Sequence, residues 1–253
     1  MTSAHKFTDP GRNKTAILTY HRVLDSRVDW RFHDVPIQSF KRQMERVAAL
    51  HHGKNARSNS VPVIPTFDDG TVDHMRAGEI LAELGLRGIF FVASARVGAQ
   101  NRLSHFDLRR LVVLGHQLGS HTVTHRRLTT LSDNDLHVEL TDSRSALEQL
   151  IGGSVDWLAP PGGAIDERSL SAALACGYRI VRTMRWGYAP EVLQGEVPSI
   201  PIFATTADRR FRHILSGGAT FRGYHFKEVV KRLVGHNTYI KLRDRFVPSR
   251  FES

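Results

Sequence analysis

Short apolar runs alternate with amphipathic stretches at least five times in the first three quarters of this chain, and few architectures accept that rhythm. Residues 15–20 are apolar and partly β-branched and read as a buried strand ending at His21. Ser39 is expected to cap a helix whose Phe40, Met44, Val47 and Leu50 recur at helical spacing. Residues 61–67 read as a second strand despite Pro62 and Pro65, followed by a helix over 73–84 that Gly85 stops. Residues 89–93 form a third strand, continuously apolar as buried parallel strands are. A helix from Ser104 carries Phe106, Leu108, Leu111 and Leu114, and a longer one over 132–150 shows Leu136, Leu140 and Leu147 on one side. Residues 157–159 end a strand, 167–176 read as a helix, 178–183 and 200–205 as strands, and 225–233 as a helix. Strands alternating with helices imply a largely parallel α/β protein. At 253 residues the chain has room for an α/β barrel or an open sheet in one domain over 1–253.

Composition excludes several other classes. With 41% hydrophobic and 24% charged residues, and 20 glycines and 10 prolines scattered without a repeat, disorder, collagen and coiled coil drop out. The single cysteine, Cys176, permits no internal disulfide and reads as a small hydrophobe at a helix end. The first residues lack the basic, apolar, small pattern of a secretory signal and no run is long enough to span a membrane, so the expected location is cytoplasmic. Net charge is +10, and from Thr205 onward 11 Lys/Arg stand against 4 Asp/Glu. Such a basic segment attracts phosphate-bearing substrates or an anionic membrane surface, or is simply a solvated face. No nucleic-acid-binding module accompanies it, so nucleic acid is not an expected partner.

Two short constellations bear chemistry. Asp68-Asp69-Gly70 follows the apolar run at 61–67 directly. Adjacent residues of an extended chain point opposite ways, so both carboxylates reach one cavity only where the chain turns, which Gly70 makes easy. Asp-Asp-Gly is also a common surface turn. At the mouth of a core strand the pair makes sense if one member binds a cation and the other manages a proton. His121 and His125 are four apart, and one helical turn would set them on the same side. Two neutral imidazoles and a carboxylate are a standard donor set for zinc in a hydrolase, although 14 histidines also produce chance pairs. Each constellation follows an apolar segment, and a barrel brings such strand ends around one mouth.

The chain resembles the polysaccharide deacetylases of the NodB-homology type, the fourth carbohydrate-esterase family. Thr66-Phe67-Asp68-Asp69-Gly70 is similar to their first motif, which implies Asp68 as general base and Asp69 as metal ligand. His121-Thr122-Val123-Thr124-His125 is similar to their second, which implies both histidines as ligands. Leu18-Thr19-Tyr20-His21-Arg22-Val23 resembles the opening strand of many members, where it binds no metal. Pro160-Pro161-Gly162-Gly163 resembles the third motif, but Ala159 stands where an arginine normally pairs with the base, and Arg126 where a proline is usual. Arg182, Arg185 and Arg179 are the candidate substitutes, and sequence does not choose among them. Trp186 is a candidate wall of the acyl pocket or a packed tryptophan. Leu233-Val234-Gly235-His236 matches the motif of the general acid literally, with His213 and His225 as other candidates.

The resemblance implies a distorted, incomplete (β/α) barrel and a divalent metal, zinc by preference. The implied reaction is removal of an N-acetyl group from an amino sugar in an oligosaccharide, polysaccharide or glycan precursor, with phosphate-bearing and lipid-linked saccharides among the candidate substrates. The cation and a backbone N–H just after Gly70 would stabilise the tetrahedral intermediate. Two rival readings share the residues: a metal-dependent amidase acting on a small non-sugar amide, and a catalytically weakened saccharide-binding protein. Ala159 and the poorly matched fourth and fifth motifs favour the second, and the intact Asp68, Asp69, His121 and His125 oppose it.

Overall fold

The computed structural model describes residues 14–25, 33–52 and 60–221. Its elements in chain order are β1 (Lys14–Tyr20), β2 (Arg22–Leu24), β3 (Asp34–Pro36), α1 (Ile37–His52), β4 (Val63–Phe67), α2 (His74–Glu83), β5 (Ile89–Val92), α3 (His105–Val113), β6 (Gln117–Ser120), α4 (Asp133–Ile151), β7 (Trp157–Leu158), α5 (Glu167–Ala175), β8 (Ile180–Trp186), β9 (Ala189–Pro190), β10 (Gly195–Pro201) and α6 (Asp208–Leu215). Seven strands in the order β1-β4-β5-β6-β7-β8-β10 are parallel, and β10 returns to β1 with Leu18 opposite Ile200 and Thr19 opposite Pro201. The sheet is therefore a closed (β/α) barrel one strand short of eight, the distorted and incomplete barrel expected. β9 pairs antiparallel with the start of β1, and β2 and β3 form a small parallel pair of their own.

The period of two along each strand sorts side chains between two cores. Ile17, Ile89, Phe91, Trp157, Ala159 and Val197 fill the barrel interior, while Leu18, Tyr20, Phe67, Phe90 and Val181 face the surrounding helices. On the outer side Phe67 stacks on Phe90 at 4.5 Å and Tyr20 meets Phe40 of α1 edge-on at 5.1 Å. By the same alternation Thr66 and Asp68 share the inward face of β4 with Ile64, and Arg182 shares that of β8 with Ile180.

Local chemistry explains most element ends. Ser104 and Asp107 form a capping box on α3, Asp166 and Ser169 another on α5, and Ser132 caps α4, which Gly152 ends at φ 66°. Pro65 is tolerated in β4 because Pro62 and Asp68 exchange bonds with β1, which turns the odd-numbered residues toward β5, and that pairing begins only at Thr66.

Some expectations need correction. α1 starts at Ile37, immediately after Pro36 closes β3, so Ser39 lies in its first turn, its hydroxyl accepting from Arg42 instead of capping. The α3 capping box turns Leu108 and Leu111 inward and leaves Phe106 70% exposed. The strand expected at 200–205 is β10, which ends at Pro201. It carries Pro198 at a register shift between Val197 and Ser199, where a missing N–H costs no ladder bond. The helix expected at 225–233 lies outside the described residues.

Candidate active site

Asp68 leaves β4 with its N–H bonded to the Tyr20 carbonyl at 2.9 Å, and the next two residues turn sharply, Asp69 at φ 77° and Gly70 at φ 60°. A side chain at Gly70 would be strained by that φ and would press on Val92. Arg102 fastens the turn by donating to the Asp69 carbonyl at 2.7 Å, and Leu103 N–H donates to Gly70 at 2.9 Å. The turn thus directs the Asp69 carboxylate toward His121 and His125, while Asp68 points into the barrel.

His121 follows β6 and His125 comes four residues later, but no helical turn joins them. The segment is an irregular loop in which Thr122 (φ 68°) and His125 (φ 70°) are both left-handed, folding the chain back so that the two rings meet edge-on at 4.7 Å. His121 Nε2 lies 3.5 Å and His125 Nε2 3.0 Å from Asp69 Oδ1. One donor atom from each of Asp69, His121 and His125 falls within 4.8 Å of the others. The His121 ring is oriented by its other nitrogen, whose Nδ1–H donates to the Ala159 carbonyl at 2.5 Å. That bond fixes the tautomer with the Nε2 lone pair toward Asp69, the arrangement found behind metal-binding imidazoles. Donor types, convergence and a locked tautomer all fit a divalent cation, and a His₂Asp set suits zinc.

The arginine question is answered by the barrel wall. Arg182 of β8, 1% exposed, donates from Nη2 to Asp68 Oδ1, and its guanidinium lies over the Phe91 ring at 4.9 Å. Burial pushes the Asp68 carboxyl upward, but the Arg182 charge, helped by His121 and His21, outweighs it and holds the carboxyl below its ordinary value. Burial opposes Asp69 ionising too, and its closeness to His121, His125 and His21 outweighs that, so its carboxyl lies well below the usual range. Arg179 instead sits 4.0 Å from Asp156 at the surface and Arg185 pairs with Glu196. Arg126 reaches Asp135 at 3.3 Å on the exterior.

Two histidines outside the expected site residues, His21 and His33, lie within electrostatic reach of the carboxylates. His21, at the end of β1, is close enough to Asp68 and Asp69 to feel both charges, and its ring packs on His33 at 4.6 Å between centroids. Burial, the largest influence, lowers its pKa. The buried His74 donates from Nε2 to the His21 carbonyl at 2.5 Å and fixes this corner. The signal was available, because His21 continues the inward positions 15, 17 and 19 of β1.

His213 lies on α6, whose end bonds to the opposite rim: the Leu215 carbonyl accepts from Val61 N–H at 2.9 Å and the Gly217 carbonyl from Lys14 Nζ at 2.6 Å. It is therefore remote from Asp68. Arg209, Arg210 and Arg212 line a groove with it at that rim, so this described part of the basic segment gives no support for a phosphate-bearing substrate at the carboxylates. Trp186 packs near Phe203 at 5.7 Å and Phe221 at 6.5 Å, as a packed tryptophan does. His225 and His236 lie outside the described residues. Among the described residues, no helix is long and apolar enough to cross a membrane.

Comparison with known proteins agrees with this architecture. Residues 55–181 match the sequence profile described as polysaccharide deacetylase. The chain is 24% identical over 189 residues to YxkH of Bacillus subtilis, covering 70% of this chain and 66% of that one. It is 25% identical over 126 residues to a peptidoglycan-N-acetylglucosamine deacetylase of Bacillus cereus, covering 49% and 57%. The matched part thus spans less than two thirds of either relative. The Streptococcus pyogenes deacetylase PplD, solved in complex with acetate, superimposes with a TM-score of 0.71 at 20% identity, covering 80% of this chain and 98% of that one, a likeness of fold.

Proposed function

The chain belongs to the polysaccharide deacetylase family, and from that premise we propose that it hydrolyses the N-acetyl group of an amino sugar within a saccharide, using a divalent cation held by Asp69, His121 and His125. The observation that carries the proposal is the convergence of these three donors beside a buried, arginine-paired Asp68. A bound cation, zinc by the donor set, would supply Lewis acidity at the amide carbonyl and lower the pKa of water.

The remaining steps belong to the chain. Asp68, kept ionised by Arg182, takes the proton of the attacking water. The Thr71 amide, just past the left-handed turn at Gly70, would stabilise negative charge growing on the carbonyl oxygen. As the carbon–nitrogen bond breaks, the proton that Asp68 took from the water passes to the leaving amine. The Arg182–Asp68 pair counts against reading the chain as a weakened binder on the ground of Ala159, since the charge partner missing there comes from β8. The test is acetate release from N-acetylglucosamine oligomers and from small non-sugar amides by the purified chain with added zinc. Turnover of the oligomers is expected. Hydrolysis of the non-sugar amides alone would replace the substrate assignment.

A further inference from the structure

We infer that Glu139, on α4 and outside the ligand set, is a positioning residue that sets the affinity for the cation by fixing the loop that carries His125. The inference rests on the reading of Asp69, His121 and His125 as ligands. Within that loop Thr122 and His125 hold left-handed backbone, a strained arrangement for residues with a side chain that survives only where the surroundings over-determine it.

Glu139 supplies that constraint. Its carboxylate is 4% exposed and accepts three bonds from the loop: Val123 N–H at 2.8 Å, Thr124 N–H at 2.9 Å and the Thr124 hydroxyl. Charge-assisted bonds of this kind are about twice as strong as neutral ones. Ser143, one turn further along the same face of α4, donates to the Thr122 carbonyl at 3.0 Å, while the Thr122 hydroxyl accepts from His125 N–H at 3.1 Å. The helix thus grips the two peptide groups midway between the ligands. No cationic side chain forms an ion pair with Glu139 among the described residues, so the loop is what the buried carboxylate serves. Without it the His121–His125 segment loses the conformation that brings both imidazoles to Asp69, and ligand geometry loosens before the barrel does.

The experiment measures zinc affinity by competition with a chromophoric chelator, and the visible absorption of the cobalt-substituted chain, for wild type, Glu139→Ala, Glu139→Asp and Glu139→Gln. Circular dichroism and melting of the metal-free chains establish that each is folded. Glu139→Ala removes the acceptors and Glu139→Asp draws them back by one methylene, and both are expected to bind zinc about 10–100-fold more weakly with an altered cobalt spectrum. Glu139→Gln keeps an oxygen for the two amides and should restore most of the affinity, a rescue that general destabilisation of α4 would not follow. If Glu139→Ala fails to fold, Glu139→Asp decides. Folded alanine or aspartate variants with wild-type affinity and an unchanged cobalt spectrum overturn the role of Glu139. A wild-type chain that takes up no cation overturns the ligand set itself, and this inference with it.

Discussion

Arg182 and Asp68 form an ion pair between side chains that are 1% and 5% exposed, so neither partner can be removed without stranding the other. Removing one member of such a pair typically costs about 3–5 kcal/mol. Arg182→Met is expected to lower stability by about that amount in urea denaturation. It should also reduce kcat by at least about 100-fold, because the general base loses the charge that keeps it ionised and aimed. Full kcat in that variant would remove Arg182 from the account. Sequence brought three arginines forward without choosing among them, and the alternation along β8 makes the choice. Counting by twos from Ile180 puts Arg182 inside the barrel, whereas Arg179 and Arg185 fall on the other face. Glu139 was not legible, because its partners are backbone amides of a loop whose left-handed turns no residue type announces. The helical turn expected between His121 and His125 failed for the same reason.

At the level of elements, His116 ties three of them together. Its Nδ1 accepts from Gly88 N–H at 3.1 Å before β5, its Nε2–H donates to the Gly78 carbonyl of α2 at 2.9 Å, and it stands directly before β6. The bond at Nδ1 needs the neutral ring, and burial, the largest influence, lowers its pKa from 6.5. The unfolded chain therefore binds the proton first. The contribution is complete above about pH 6.5 and is lost as pH falls from there toward the folded value, by at most about 1.4 kcal/mol per pH unit. His116→Gln offers a donor and an acceptor without a titrating group, so the drop in Tm between pH 7.5 and 5 should be smaller than in wild type. Parallel profiles would discount His116. On the barrel interior, a Cβ at Gly119 of β6 would come within 2.4 Å of the Phe91 ring on which Arg182 rests. Gly119→Ala should therefore destabilise by about 1–3 kcal/mol in urea denaturation. Periodicity and capping residues made most helices legible. β9, β2 and β3 were not, since two or three residues carry no period and take their form from neighbours such as Lys14 and Thr15.

Across the whole molecule, the alternation of strands and helices specified a parallel α/β protein, but closure rests on pairings far apart in sequence. Leu18 with Ile200 and Ile202 N–H with the Thr19 carbonyl at 2.9 Å are contacts that no local pattern encodes. Family resemblance, not periodicity, distinguished the barrel from an open sheet beforehand. The seven-strand ring and its helices hold together through apolar packing and ladder bonds, and the ligand loop is fastened by Glu139. Chelation should therefore abolish turnover reversibly while the far-ultraviolet circular dichroism stays within a few per cent of its starting value, and loss of the spectrum on chelation would assign the cation a folding role. The central claim is that Asp69, His121 and His125 hold a cation while Asp68 moves the proton. Its most direct test is metal content and acetate release measured on the same preparations of wild type, Asp68→Asn and His125→Ala. The account predicts about one divalent ion per chain with turnover in wild type, the ion retained but turnover lost in Asp68→Asn, and both lost in His125→Ala. Equal loss of metal in the two variants, or turnover by His125→Ala without a bound ion, would contradict it.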